Sequence, residues 1–230
     1  MEDNGGAASL KYIYDHITKY YPTAKRSKDW EAGLRGVLYR ELKKQHLFKK
    51  VGLSIYALSD YTPVEPPKKD KVRMHSYIEG ICLELGNFQD YYTYTADPSA
   101  TYRDNLRLSD IASIQTMPAF SYDGILNEAR YIDVIWFNKN GLCFPQKVFE
   151  VVDSIGTLTG AFNRILQLKN FMTDFYIVAP EKHHDKYKQT IELEIYQPQK
   201  DRFKFISYDD MTEWYDTTLR KNKLETRLFG

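Results

Sequence analysis

The sequence has few cysteines and no long apolar run. Its 230 residues include only Cys82 and Cys143, which are too few for a disulfide framework and lie outside any CxxC metal pattern. No run approaches the roughly 20 apolar residues that span a bilayer, and the first residues lack the basic and apolar regions of a signal peptide. We therefore expect a cytoplasmic protein without a membrane partner.

Motifs of several common activities are also missing. There is no GxGxxG, GxxxxGK[ST], HExxH or GxSxG pattern, which argues against a nucleotide cofactor, a zincin and a serine hydrolase. His183 and His184 are adjacent, but no partner stands at zinc-ligand spacing, so we expect them to lie in a surface loop.

The composition is that of a folded protein, with 43% hydrophobic and 27% charged residues. A net charge of +1 conceals an uneven distribution. Residues 1–73 carry 15 Lys and Arg against 9 Asp and Glu, whereas the remainder carries 17 against 22, so the two parts have net charges of +6 and −5. Chance can produce such a split, but it is also typical of a DNA-binding module joined to a carboxylate-rich metal site.

Residues 1–62 are predicted to form a winged helix-turn-helix domain. Apolar residues recur at helical spacing after Ser9, which predicts an amphipathic helix with Ser9 as its N-cap. A second helix over residues 28–45, in which two glycines could mark a break, precedes a hairpin over residues 47–58. Prolines then predict a linker over residues 63–70 and a second domain over residues 71–230.

The segment LYRELKKQHLFKKVG resembles the winged helix-turn-helix domains that are fused to restriction enzymes and chromatin proteins. The resemblance implies DNA contacts, mostly to phosphates, because lysine positions a protein on the backbone better than it reads bases. A solvated helix face is the alternative. The residues expected to contact DNA are Arg35, Arg40, Lys43, Lys44, Lys49 and Lys50.

Two carboxylates interrupt apolar strand patterns in the second part. Asp133 lies in IDVIWF and Glu150 in VFEVV, and the two predicted strands are joined by a turn at residues 138–141. A carboxylate in an apolar strand is costly unless it is paired, hydrogen-bonded or bound to a metal. Side by side, the two could hold Mg²⁺; an ion pair with Arg130 or Arg164 is the alternative.

The ordered blocks IDVIW, VFEVVDS, GAFNRILQL and FYIVAPEK resemble the PD-(D/E)XK nuclease superfamily. More narrowly, they are similar to predicted restriction endonucleases with the blocks IDVIW, FEVEHST, GLLRLxDL and YIVAPxxR, over about residues 75–190. The resemblance implies an α/β fold with a mixed sheet flanked by helices. It also implies that Asp133 and Glu150 bind Mg²⁺, for which Mn²⁺ could substitute, and that Glu79 assists from the preceding helix, which is expected to end at Gly86.

One position departs from the pattern. Val152 stands two residues after the glutamate, where the superfamily usually has Lys, and valine can neither activate water nor bind metal. Asp153 is a candidate catalytic residue, although in a regular strand it would project to the opposite face unless a bulge re-aims it. Lys147 or Lys169 could also reach in. Otherwise the site is weakened or inactive.

Three further residues match polar positions of these blocks and are expected to contact DNA: Ser154, Arg164 and Lys182. Arg103 lies in a segment where nucleases of this superfamily often have DNA-contacting loops. The sequence thus predicts a restriction endonuclease for double-stranded DNA, acting as a homodimer because one site faces one strand. The alternatives are a DNA-binding protein or regulator with a weakened site, and a protein-interaction module.

Overall fold

A computed structural model describes residues 1–44, 46–63 and 71–229, with the backbone alone for residues 71–73. The predicted linker lies, from residue 64 onward, outside the described residues. None of the described helices is both long and apolar enough to cross a bilayer. The helices are α1 Leu10–Tyr20, α2 Trp30–Lys44, α3 Lys71–Phe88, α4 Leu108–Ile111, α5 Asp123–Ala129, α6 Leu158–Leu166, α7 His184–Ile191 and α8 Tyr208–Phe229, and the strands are β1 Ala7–Ser9, β2 Phe48–Lys50, β3 Ile55–Leu58, β4 Tyr92–Thr95, β5 Val134–Phe137, β6 Pro145–Val151, β7 Asp174–Ala179 and β8 Phe203–Ser207.

The N-terminal part is a small antiparallel sheet with two helices. The strand order is β1-β3-β2, so the predicted hairpin is confirmed and the short strand β1 is added to it. The hydroxyl of Ser9 accepts a hydrogen bond from the Tyr12 amide at 3.0 Å, which confirms the predicted N-cap of α1. The predicted break in α2 is wrong: two glycines, at about 1 kcal/mol each, do not interrupt a helix of 15 residues that buries Leu38.

The main sheet has five strands in the order β4-β5-β6-β7-β8. Strands β4, β5 and β6 are antiparallel, whereas β6, β7 and β8 are parallel and are joined by α6 and α7. Side chains of β6 alternate between two hydrophobic clusters. Phe149 and Val151 pack with α3 and α8, and Val148 packs with α6 on the opposite face. The expected mixed sheet flanked by helices is therefore present.

Helix α3 continues through Gly86, where it was expected to end. The glycine allows the helix to approach β5 closely, because a Cβ atom there would lie 2.6 Å from the Trp136 indole nitrogen. That nitrogen donates a hydrogen bond to the Cys82 carbonyl at 3.0 Å. The chain reverses beyond the helix at Asp90, which adopts a left-handed conformation with φ of 66°.

A buried ion pair joins the N-terminal sheet to the rest of the molecule. Arg103 Nη2 lies 3.1 Å from Glu84 Oε1, which also accepts hydrogen bonds from the hydroxyls of Tyr102 and Tyr215 at 2.9 Å. The other oxygen of Glu84 accepts from the Ser54 amide, between β2 and β3, at 2.9 Å. Arg103 is therefore buried in this network rather than presented to DNA.

We predict that Arg103→Met lowers the free energy of unfolding by about 3–5 kcal/mol, because Glu84 would remain buried without its charged partner. The control is Lys11→Met, which breaks the surface pair between Lys11 and Asp15 and should cost less than about 1 kcal/mol. Urea denaturation followed by tryptophan fluorescence measures both values. Equal stability losses in the two variants would contradict the role assigned to Glu84 and Arg103.

Candidate active site

The two predicted metal-binding carboxylates lie at neighbouring ends of β5 and β6. Val134 of β5 pairs with Phe149 of β6. In this antiparallel arrangement Asp133, which precedes Val134, is adjacent to Glu150, which follows Phe149. Asp133 directly precedes β5 rather than lying inside it. Its side chain is half-buried, whereas that of Glu150 is fully buried.

Asp133 is grouped with two side chains of α3. His75 Nε2 lies 3.7 Å from Glu79 Oε1 and 3.8 Å from Asp133 Oδ2. One ligand atom from each of the three residues lies within 4.8 Å of the other two, which is close enough for all three to bind one metal ion. We call this group the His75–Glu79–Asp133 cluster.

Neighbouring groups orient the members of this cluster. The Val151 amide donates a hydrogen bond to Asp133 Oδ2 at 2.7 Å. Asp153 Oδ2 lies 3.3 Å from His75 Nδ1, and its other oxygen accepts from the Tyr208 hydroxyl at 2.5 Å. Strand β6 ends at Val151, so the alternation of a regular strand no longer applies at Asp153, and its carboxylate reaches the cluster without a bulge.

Glu150 is paired with Arg164 of α6. Arg164 Nε and Nη2 donate to the two carboxylate oxygens at 2.8 and 2.5 Å, which is a bidentate ion pair. This is the alternative that the sequence left open for Glu150. Both oxygens are therefore engaged, and Glu150 is separate from the His75–Glu79–Asp133 cluster in this structure.

A core residue, Val152, stands at the position where the nuclease superfamily usually has lysine. The Val152 side chain is buried in the hydrophobic core beneath α6, and its backbone amide donates a hydrogen bond to the Val178 carbonyl at 2.8 Å. Lys147 is bound to Asp174 at 3.1 Å. Lys169 lies beyond the end of α6 with an exposed side chain, and no ion pair among the described residues joins it to the His75–Glu79–Asp133 cluster.

The expected surface loop at the two histidines is wrong for His183. Its side chain is buried, with Nε2 3.1 Å from the carbonyl oxygen of Asp153. His184 begins α7 and stacks on Phe205 at 4.7 Å between ring centroids. Of the two histidines, only His183 therefore contacts the backbone of Asp153.

The buried carboxylates retain protons more readily than carboxylates in water. Burial raises the pKa of Glu79 well above its usual value, and the negative charges of Asp133 and Glu150 raise it further. Burial also raises the pKa of Asp133, although His75 opposes the shift, and it raises the pKa of Glu150 to about 8 against the opposing effect of Arg164. The site thus holds more carboxylates than its cations balance.

The same excess of carboxylates raises the pKa of His75. Burial by itself lowers the pKa of the imidazole, but the hydrogen bond with Asp153 and the negative charge of Asp133 outweigh it, so that the pKa lies above its usual value. A protonated imidazole is one way to offset the negative charge; a bound cation is another.

Comparison with known proteins agrees with a nuclease domain. A family described as the type II restriction enzyme NmeDI C-terminal domain matches residues 60–227, which is most of the chain. The chain belongs to this family. No curated protein and no solved structure gives a significant match. Restriction endonuclease-like character is therefore established, and residues 1–59 lie outside the match.

Most predicted DNA-binding residues of this NmeDI-family chain lie on its surface. On α2, Arg40, Lys43 and Lys44 are exposed, and Lys44 pairs with Glu41 at 2.9 Å. Arg35 is half-buried and donates to the Tyr14 hydroxyl at 2.8 Å.

The remaining predicted contacts lie on the hairpin and around the site. Lys49 donates to the Ser59 carbonyl at 2.9 Å, and Lys50 donates to the side chain of Asn222. Ser154 is exposed directly after Asp153, and Lys182 is exposed in the turn after β7.

Two functional candidates of the NmeDI-family domain, His75 and Tyr208, were missed in the sequence. His75 and Glu79 are four residues apart on one helix, which presents both on the same face and was a usable signal. Tyr208 lies far from Asp153 in the sequence, and no local pattern indicates that its hydroxyl contacts that carboxylate.

We predict that the metal-free protein loses stability as the pH rises from about 5 to about 8. The raised pKa values favour the protonated carboxyl groups in the folded state, and this contribution is lost as the pH passes through them, with that of Glu150 at about 8. Thermal unfolding in EDTA should show the midpoint falling by at least about 5 °C, and excess Mn²⁺ should restore it at high pH. Glu79→Gln should flatten the dependence; a midpoint that rises over this range would contradict the assignment.

Proposed function

We propose that this protein is a restriction endonuclease that hydrolyses phosphodiester bonds of double-stranded DNA with a divalent metal. The observation that carries the proposal is the His75–Glu79–Asp133 cluster in a chain of a restriction enzyme family. The PD-(D/E)XK assignment is supported by the antiparallel pair β5 and β6 with carboxylates at adjacent ends, followed by the parallel strand β7.

The donor set fits a divalent cation. Glu79 and Asp133 offer carboxylate oxygens, the ligands that Mg²⁺ and Mn²⁺ prefer, and His75 offers an imidazole, which suits transition metals better than Mg²⁺. We therefore propose Mg²⁺ as the cofactor with Mn²⁺ as a tighter-binding substitute. A cation held there would neutralise charge on the scissile phosphate and lower the pKa of an attacking water.

The chain's own residues prepare this site before DNA arrives. The Val151 amide fixes Asp133, and the chain of contacts from Tyr208 through Asp153 to His75 holds the imidazole with Nε2 toward the two carboxylates. We assign Asp153 as a positioning residue that acts through His75. This arrangement brings a nitrogen ligand to the two carboxylates from α3, but it supplies no separate base in place of the lysine that Val152 replaces.

Arg164 is the proposed phosphate contact beside the cluster. Its guanidinium is about one-third exposed, and Glu150 holds it through two hydrogen bonds that leave one Nη group unused by this carboxylate. We propose that Glu150 orients Arg164 in the DNA-free protein. Glu150 becomes a metal ligand, as its place in the motif suggests, only if Arg164 moves from it to the phosphate.

The N-terminal part is proposed to deliver the enzyme to DNA as a winged helix-turn-helix domain. The order β1-α1-α2-β2-β3 with an antiparallel sheet supports this, and the short 3-10 helix Ala24–Arg26 lies where a third helix is expected. Arg40, Lys43 and Lys44 then present positive charge on α2. A homodimer would bring a second active site to the opposite DNA strand.

A second function, DNA binding without cleavage, is favoured by two observations. Val152 supplies no catalytic group, and Arg164 occupies both oxygens of Glu150. Such a regulator would bind DNA in a salt-dependent manner and would leave it intact with every divalent metal. Retention of DNA by the wild-type protein without any product, under conditions where the protein is folded, would select this function.

The decisive experiment incubates the purified protein with mixed-sequence plasmid DNA, methylated and unmethylated, in Mg²⁺ or Mn²⁺. We predict that Asp133→Asn and Glu79→Gln each lower the cleavage rate at least about 100-fold, because each removes an anionic ligand of the proposed cation. Asp153→Asn should lower the rate less, and His75→Ala should reduce activity while leaving DNA binding in EDTA unchanged.

Matched controls are Asp185→Asn and His184→Ala, which alter an exposed carboxylate and a stacked histidine outside the cluster. Both should retain wild-type rates. Cleavage that survives Asp133→Asn and Glu79→Gln would remove the proposed site. Arg164→Gln distinguishes the two roles of Glu150: if Glu150 only orients Arg164, then Arg164→Gln and Glu150→Gln should have equal effects.

A further inference from the structure

A basic groove lies between the N-terminal part and the C-terminal half of α8. It has a volume of about 720 Å³ and runs along α2, β2 and α8. No acidic residue is among the described residues that line it. Its cationic side chains are Lys43, Lys49, Lys50, Arg220, Lys223 and Arg227.

The α8 side of the groove is a single helical stripe. Arg220, Lys223 and Arg227 are three and four residues apart, so their side chains share one face of the helix. All three are exposed, and no ion pair within the described chain joins any of them to a carboxylate. Of the acidic residues of α8, Glu225 pairs with Lys221 at 3.8 Å. Burial lowers the pKa of Lys223, and Asp216, one turn before Arg220, is near enough to oppose this effect.

Two lysines of the opposite wall have neutral hydrogen-bond partners. Lys49 is bound to the Ser59 carbonyl, and Lys50 crosses to α8 to reach the Asn222 side chain. Burial lowers the pKa of Lys50 to about 8, Glu84 opposes this effect, and the nearby charge of Lys223 adds to it. The groove therefore concentrates like charges that a polyanion would neutralise.

We propose that this groove binds the phosphate backbone of duplex DNA away from the cut site, a proposal that rests on the proposed nuclease function. Helix α8 connects the two places. Tyr208 in its first turn contacts Asp153, and the groove residues lie 12–19 positions further along, roughly 20–30 Å at 1.5 Å per residue. A duplex that follows α8 would enter the groove roughly 6–8 base pairs from the scissile phosphate.

The contacts expected in the groove are independent of sequence. Lysine and arginine contacts to phosphate oxygens fix the position of a protein on the duplex without reading base edges. The groove would thus hold DNA during the search for a site and would leave recognition to other residues. An acidic peptide is a weaker match, because six cations spread along a groove suit a regularly spaced phosphate row.

The test measures binding of a 40-base-pair duplex by fluorescence anisotropy in EDTA over a range of salt concentrations. Lys223→Gln should reduce the slope of log K against log salt by about 1, and the triple variant Arg220→Gln, Lys223→Gln, Arg227→Gln should reduce it by about 2–3. The control Lys221→Gln removes the same charge from the other side of α8 and should leave the slope unchanged.

An unchanged slope in the triple variant would overturn the proposal, as would an equal loss in Lys221→Gln, which would indicate a general charge effect. Polyglutamate that competes for the wild-type groove while DNA binding is insensitive to Lys223→Gln would assign the groove to an acidic protein instead. Cleavage is not part of this assay. Wild-type protein that binds DNA as expected but cuts none would therefore contradict the nuclease function and leave the groove proposal standing.

Discussion

The candidate site depends on one constraint: more carboxylates are buried at one edge of the main sheet than its cations can balance. Glu79, Asp133 and Asp153 contact His75 near the start of β5, and Glu150, which is paired with Arg164, lies next to Asp133 near the end of β6. Arg164 neutralises one of them, and a single imidazole serves the others. The raised pKa values of these groups favour protonation when no cation is bound, and the divalent cation that we propose would balance their negative charge.

Helix α8 connects the candidate site to the rest of the molecule through three sets of contacts. Its first turn contacts Asp153 through Tyr208, its middle contributes Tyr215 to the buried ion pair of Glu84 and Arg103, and its last turns line the basic groove. The N-terminal sheet is attached through the same ion pair. Helix α8 thus contacts both the candidate site and the N-terminal part, and a duplex bound along it in the way we propose would reach both.

The sequence predicted what depends on local pattern and missed what depends on tertiary packing. Alternation and turn residues predicted β5 and β6, and with them the adjacent positions of Asp133 and Glu150. Whether Glu150 meets Arg164 or a metal depends on where α6 packs, which no spacing reveals. Asp153 reaches the site because β6 ends two residues earlier, a boundary that periodicity does not resolve. His75 was missed, although its spacing of four residues from Glu79 on a predicted helix indicates that the two share a face.

If His75, Glu79 and Asp133 bind one divalent cation, pulsed electron paramagnetic resonance of bound Mn²⁺ should detect the imidazole among its ligands. Bound Mn²⁺ should show the nitrogen coupling of a single imidazole ligand. We expect that His75→Ala abolishes this coupling, that His184→Ala preserves it, and that Glu79→Gln and Asp133→Asn weaken Mn²⁺ binding. Mn²⁺ bound without nitrogen coupling, or with coupling that survives His75→Ala, would contradict binding by these three residues.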